Sequence, residues 1–253
     1  MIYLYGLMHP KVRDPAEAVS TVEGVTGPVD CQTLDAGHLV YGPHDGSEIR
    51  AKRRFLLAHA RVLETAATSG TVLPMRFGML ADNLADVAEL VLAQSDNIAQ
   101  HFERLDGTME FGVRIAFSGD DALAHELKRH PDLLAERDRL ARGSGHFQHA
   151  EFGRKLGEAL ERHRTDLQRK LIAALKDDVV DLVVRPPETE FQVLNAHILI
   201  KSDAEGDVPA KLDALARSLD FAPGTEPRIE LVGPAPLYNF VSLNLADASR
   251  KAA

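Results

Sequence analysis

Tryptophan is absent from this 253-residue chain, and cysteine occurs once, as Cys31. A single thiol excludes any intramolecular disulfide, which suits a reducing cytoplasm. Aromatic residues make up only 6% of the chain, so a core must be built mainly from Leu, Val, Ala and Ile. No apolar run approaches the ~18 residues that a membrane-spanning helix needs. The opening "MIYLYGLMHP" has no basic leader and too short an apolar stretch for a signal peptide. Basic charge is also in short supply. The net charge is -9, with 9 basic and 14 acidic residues before Gly107 and 20 and 24 after it. Both halves are acidic, which argues against a nucleic-acid binder, since such a protein needs a basic stripe to displace counterions from phosphates. The densest basic run, "RAKRR" at 50–54 beside Glu48, is read as a solvated helix face, with an anionic partner as the alternative.

What is present reads as alternating strands and helices. "IYLYGL" (2–7) is a strand. Closely spaced Gly and Pro over 22–46 point to short strands, Leu39 to Tyr41 foremost. Ser47 is the expected cap of an amphipathic helix whose face runs Ile49, Arg53, Leu56, Leu57, Ala60, Leu63 and Ala67, closed by Gly70. "TVLP" is a strand, and Asp82 caps a helix that shows Leu84, Val87, Val91, Ile98, Phe102 and Leu105 on one face until Gly107.

After Gly107 the order is strand (109–117), a long helical region (120–178), strand (179–184), strand (190–201), helix (207–219) and strand (228–233). Breaks are expected at "HP" (130–131) and in a bend at "RGSGHFQH" (142–149). The near-heptad spacing from Phe152 through Leu156, Leu160, His163, Leu167 and Leu171 to Ala174 predicts one arm of a helical hairpin. The whole is the βαββαβ order of a ferredoxin-like module, with an enlarged helical first crossover.

Catalytic constellations are sought without success. His125 and His130 in "HELKRH" are five apart, roughly 140° around a helix, so they cannot share a metal as a zincin pair does. "HFQH" (146–149) with Glu151 has better spacing, but two histidines do not make a site, and exposed side chains explain them. "GSG" (143–145) follows a helix rather than a strand and is no dinucleotide fingerprint. Asp177, Asp178 and Asp181 read as solvated turn residues. His197 lies in an apolar strand, where a hydrogen-bonded core or edge histidine outweighs an axial haem ligand. No catalytic, cofactor or metal residue is expected.

Arg76 stands out. It sits in "TVLPMRFGML" (71–80), among apolar residues and between Pro74 and Gly78. A buried unpaired guanidinium costs several kcal/mol, so Arg76 must reach a carboxylate, backbone carbonyls or solvent. Its fixed fork of donors suits an ion pair joining this strand end to a neighbour, ahead of a partner- or anion-binding role.

Four stretches, in order, resemble the gas vesicle protein F/L family: "IYLYGL"; "AHARVLE" (58–64) leading to "VLPMRFG" (72–78); "LDGTMEFGVRI" (105–115); and "GPAPLYNFV" (233–241). Where that family often carries tryptophan, this chain has Phe111 and Ala235, and Leu237 replaces the second proline of the closing motif. The resemblance implies a two-domain α+β protein, divided here as 1–107 and 108–253, the second domain being the modified ferredoxin-like module with its helical insertion at about 120–178. It implies a non-enzymatic, cytoplasmic accessory or minor component of gas vesicles, without cofactor. The implied partners are the hydrophobic shell subunit, whose aggregation it would limit, and other accessory proteins. Arg76 and Phe77, with Pro236, Tyr238 and Phe240, are the candidate structural or partner-binding positions. A second reading is a haem- or small-ligand-binding enzyme on ferredoxin-like modules, using His197 or Arg76. A third is a component retained in the finished shell.

Overall fold

The computed structural model describes residues 1–47, 49–143 and 145–243. The chain is a mixed α/β protein that divides into two compact units, Met1–Glu110 together with the chain from Pro234 onward, and Phe111–Gly233.

In the first unit, β1 (Ile2–Met8) lies at the centre of a sheet ordered β2-β3-β1-β4, where β2 is Asp30–Leu34, β3 is Gly37–Pro43 and β4 is Val72–Pro74; β5 (Leu80–Ala81) also pairs with β1. All these pairings are antiparallel. Every residue of β1 from Tyr3 to Met8 is buried, which is why "IYLYGL" carries no polar alternation. The register between β1 and β3 shifts between Leu4 and Gly6, leaving Tyr5 as the extra residue of a bulge. Gly6 is required for the β1–β4 approach, because a Cβ there would lie 2.6 Å from the Leu73 carbonyl oxygen.

The helices of this unit are α1 (Pro15–Val19), α2 (Arg53–Ala67), α3 (Leu84–Ala93) and α4 (Ser95–Leu105). Four expectations are corrected here. Helix α2 begins at Arg53 after Lys52, so Ser47 does not cap it. Its buried stripe is His59, Val62, Leu63 and Ala66, spaced i, i+3, i+4 and i+7, and Leu56 and Leu57 point out. Asn83, not Asp82, caps the next helix: its extended backbone lets Oδ1 accept from the Asp86 N–H at 3.0 Å. The expected single helix is two, interrupted at Gln94, yet Val87, Val91, Ile98, Phe102 and Leu105 are all buried as the spacing implies.

The second unit holds most of β6 (Thr108–Ala116), then α5 (Gly119–Arg129), α6 (Pro131–Leu140), α7 (His146–Leu175), β7 (Asp181–Val184), β8 (Gln192–Lys201), α8 (Val208–Arg217) and β9 (Arg228–Ala235). Its sheet is ordered β7-β8-β6-β9. Pro131 starts α6, where its missing N–H costs nothing. "HFQH" is the exposed first turn of α7 rather than a bend; Ser144 of "GSG" lies outside the described residues. The seam of α7 is buried at Leu160, His163, Leu167 and Leu171 and then shifts to Leu175, leaving Ala174 exposed. Leu127 of α5, Leu133 of α6 and Ala159 of α7 share one apolar cluster. Beside it, the buried Glu126 carboxylate lies 2.8 Å from His163 Nδ1 and 3.2 Å from Arg129 Nη1.

Candidate partner-binding surface

The residues around Arg76 are held from both sides. Met75 N–H donates to the Tyr5 carbonyl (2.8 Å), and Leu4 N–H donates to the Met79 carbonyl (2.9 Å), so β1 grips both ends of 75–79. Between them the Arg76 carbonyl accepts from Met79 N–H at 3.3 Å. Gly78, at the third position of this four-residue turn, has φ +83°. That is the position where a type II turn requires positive φ, and glycine adopts it without strain.

A chain of hydrogen bonds through buried Tyr3 and His59 then fixes the turn to α2. Gly78 N–H donates to Tyr3 Oη (3.0 Å). Tyr3 Oη lies 2.9 Å from His59 Nδ1, and His59 Nε2 lies 3.2 Å from the Met75 carbonyl. A carbonyl can only accept, so Nε2 carries the imidazole proton and Nδ1 accepts from the tyrosine hydroxyl. Burial pushes His59 down to about 4, and it pushes the Tyr3 hydroxyl well above the ordinary phenol range. Tyr5, pushed up to about 12 by burial, accepts from Val25 N–H at 2.7 Å. The rings pack as a cluster: Tyr3 and Tyr5 have centroids 4.8 Å apart, and Phe77 lies edge-on to His59 at 5.8 Å.

The closing segment joins the same cluster. The Tyr238 ring lies 6.3 Å from His59 and nearly parallel to it, yet Tyr238 remains 39% exposed. Leu237 and Phe240 on either side are buried. The buried Glu110 carboxylate holds this segment by accepting from Asn239 N–H (3.1 Å) and Asn239 Nδ2–H (2.6 Å), and Arg104 donates to the Phe240 carbonyl.

The candidate positions thus separate into two roles. Phe240 is buried and Pro236 half-buried, whereas Phe77 is half-buried with one side in the cluster. Arg76 is exposed, and among the described residues no carboxylate pairs with it. The expected ion-pair bridge is therefore missing, because the turn directs the residue before Phe77 outward, where solvent serves its guanidinium. The residues that hold the fold here are instead Tyr3, His59, Glu110 and Asn239. His59 belongs to the i, i+3, i+4, i+7 stripe of α2, an inward face that the sheet beneath the helix selects. Glu110 and Asn239 are 129 positions apart and carry no local signal.

The other nominated groups lie elsewhere. His197 sits half-buried on β8, opposite Val183 of β7. His125 lies 3.1 Å from Asp220, while His130 lies 2.9 Å from Glu126. Asp178 pairs with Lys211. Among the described residues no three His, Cys, Asp or Glu side chains are grouped so as to hold a metal ion, and no helix is long and apolar enough to cross a membrane.

Gly78 offers a direct check of the turn. A methyl group there meets nothing within 4 Å, so Gly78→Ala is opposed only by its backbone conformation. The expected loss is about 1–2 kcal/mol, read as a lowered thermal midpoint without loss of fold.

The architecture is that of gas vesicle proteins of known structure. The chain is similar to the crystal structure of gas vesicle protein GvpF from Anabaena sp. PCC7120, with TM-score 0.81 and 23% identity, covering 96% of this chain and 98% of that one. Its similarity to GvpF from Microcystis aeruginosa has TM-score 0.75 at 23% identity, over 96% and 99% of the two chains. The family described as gas vesicle synthesis protein GvpL/GvpF matches residues 1–242, and this chain belongs to that family. Relatives by sequence include gas vesicle protein F of Streptomyces sp. (strain CB03234), 27% identical over 94% of this chain and 98% of that protein. Gas vesicle protein F of Microcystis aeruginosa (strain PCC 7806) is 24% identical over 96% and 98%.

Proposed function

We propose that this chain is a cytoplasmic, non-enzymatic accessory protein or minor component of gas vesicles, which binds the hydrophobic shell subunit and other accessory proteins and limits shell-subunit aggregation during vesicle nucleation. Family membership supports the gas vesicle role. The observation that carries the binding role is one arrangement: a turn fixed by hydrogen bonds to buried Tyr3 and His59 presents an unpaired arginine and a half-buried phenylalanine, backed by the same histidine that Tyr238 stacks on. An exposed arginine without a carboxylate partner adds little to stability on a rigid turn. Such a rigid aromatic–arginine display suits a protein contact, where Tyr and Arg anchors carry much of the binding energy. Free shell subunits that expose an apolar side would aggregate, and an acidic partner covering that side keeps them apart.

The second unit is read with the first. Its strand order and the helices α5–α7 between β6 and β7 support a modified ferredoxin-like βαββαβ module with an enlarged first crossover.

Co-expression with the shell subunit tests the proposal. The shell subunit is expected to stay in the supernatant and to co-purify. Arg76→Ala and Tyr238→Ala are each expected to reduce the co-purified amount severalfold, and Arg76→Ala should leave the thermal midpoint within about 2 °C, as an exposed side chain contributes little to stability. Empty pull-downs with the wild-type chain, or undiminished capture by both variants, would sink it.

A further inference from the structure

The outward face of α2 does not obey the charge pattern of the rest of the molecule. From Arg50 to the end of α2 at Ala67 the chain has five cations and one carboxylate, Glu64, a local charge of +4 in a chain of -9. All five are exposed, and among the described residues none of them pairs with a carboxylate. Several exposed arginines elsewhere are tied up: Arg137 with Asp138, Arg154 with Glu151 and Glu158, Arg169 with Asp166, Arg217 with Asp213.

Two further features sharpen the contrast. The first turn of α2 carries Arg53 and Arg54 and no acidic residue. Cations at a helix N-terminus oppose the macrodipole, by about 0.3–1 kcal/mol each. Leu56 and Leu57 are 43% and 51% exposed on the same helix. Successive residues turn by about 100°, so Arg53, Leu57 and Arg61 run in a line along the outer side, with Leu56 and Ala60 beside them. An apolar seam flanked by arginines is the pattern one helix shows to another in a coiled-coil pair.

We infer that this face of α2 is a docking surface for an acidic amphipathic helix of a partner protein, with leucine-type residues against Leu56 and Leu57 and carboxylates against Arg53, Arg54 and Arg61. Charge complementarity selects this occupant. An anionic bilayer presents negative charge across a whole plane and would meet the repulsion of a -9 chain, whereas a single helix meets only the local patch within a screening length of about 8 Å. α2 also cannot roll into a membrane interface, because His59, Val62, Leu63 and Ala66 fasten its opposite side in the core. Nucleic acid would use the arginines but leave the two leucines in water. This surface is separate from shell-subunit capture and does not depend on it.

The test uses the full chain and a synthetic three-heptad peptide with Leu at the seam positions and Glu at the flanks. Titration calorimetry is expected to show binding that weakens with added salt. Arg53→Glu combined with Arg54→Glu should weaken it by about tenfold or more, given up to about 1 kcal/mol per exposed pair and the reversal of sign. The same substitutions remove cations from the helix N-terminus, so the thermal midpoint should hold or rise. Leu57→Ser, as a second variant, should weaken peptide binding with little change in salt dependence. The inference is overturned if the wild-type chain ignores the peptide, or if the arginine variant binds it equally. It is overturned as well if phosphatidylglycerol vesicles or a DNA duplex bind more tightly than the peptide, or if the face proves to pair two copies of this chain in sedimentation. None of these outcomes bears on capture of the shell subunit, which the co-purification measures on its own.

Discussion

Moving from pH 7.5 to pH 5 is expected to destabilise the first unit by about 2 kcal/mol through His59 alone. Its imidazole is held down to about 4 in the folded chain, against an ordinary value of 6.5. Between those two pH values the unfolded chain binds the proton and the folded chain refuses it. The contribution is therefore present in full above about 6.5 and is lost progressively as pH falls toward about 4. The sign follows from the geometry: Nδ1 accepts from Tyr3, so protonating it would break that bond and place a charge in an aromatic cluster. His9 and His101 of the same unit are also pushed down by burial and add in the same direction. His59→Gln isolates the one contribution: its stability should change by about 2 kcal/mol less than wild type over that interval. Nuclear magnetic resonance of the His59 ring in the wild-type chain provides the independent check, with a titration midpoint near 4. A midpoint near 6.5 would show that the cluster does not hold the ring neutral.

Removing Glu110 should cost about 3 kcal/mol, the largest single-site effect expected here. The carboxylate is buried and accepts two hydrogen bonds from Asn239. Glu110→Ala removes the carboxylate that accepts from both Asn239 N–H groups and loosens the closing segment. Asn239→Ala leaves a buried carboxylate without them, at similar cost. In a double-mutant cycle the two substitutions should be strongly non-additive, with a coupling of about 2 kcal/mol. Independent effects would mean that the closing segment is held by its apolar residues, Leu237 and Phe240, and not by the carboxylate.

These outcomes separate what local pattern carries from what it does not. Strand β1, the buried faces of α3 and α4, and the order of elements from β6 to β9 follow from periodicity and from Pro and Gly positions. Burial of apolar side chains and backbone stereochemistry act over a few residues, so their marks lie in a short window of sequence. The four family-like stretches were legible in the same way. Their meeting was not: Tyr3 of the first, His59 and Gly78 of the second and Tyr238 of the fourth share one cluster, and Glu110 of the third anchors the last.

The outward turn of Leu56 and Leu57 was equally hidden. Apolar residues at i, i+3 and i+4 allow more than one inward face, and only the sheet beneath α2 selects between them. Local pattern and the four motifs carried most strands, the main helical stretches and the family. Tertiary structure alone decided that Arg76 faces solvent rather than a carboxylate, and that a histidine and a glutamate hold the surface on which it stands. The reason is physical: an ion pair or a buried hydrogen bond depends on which groups come within about 3 Å. For residues such as 110 and 239 that distance is set by the packing of the whole unit.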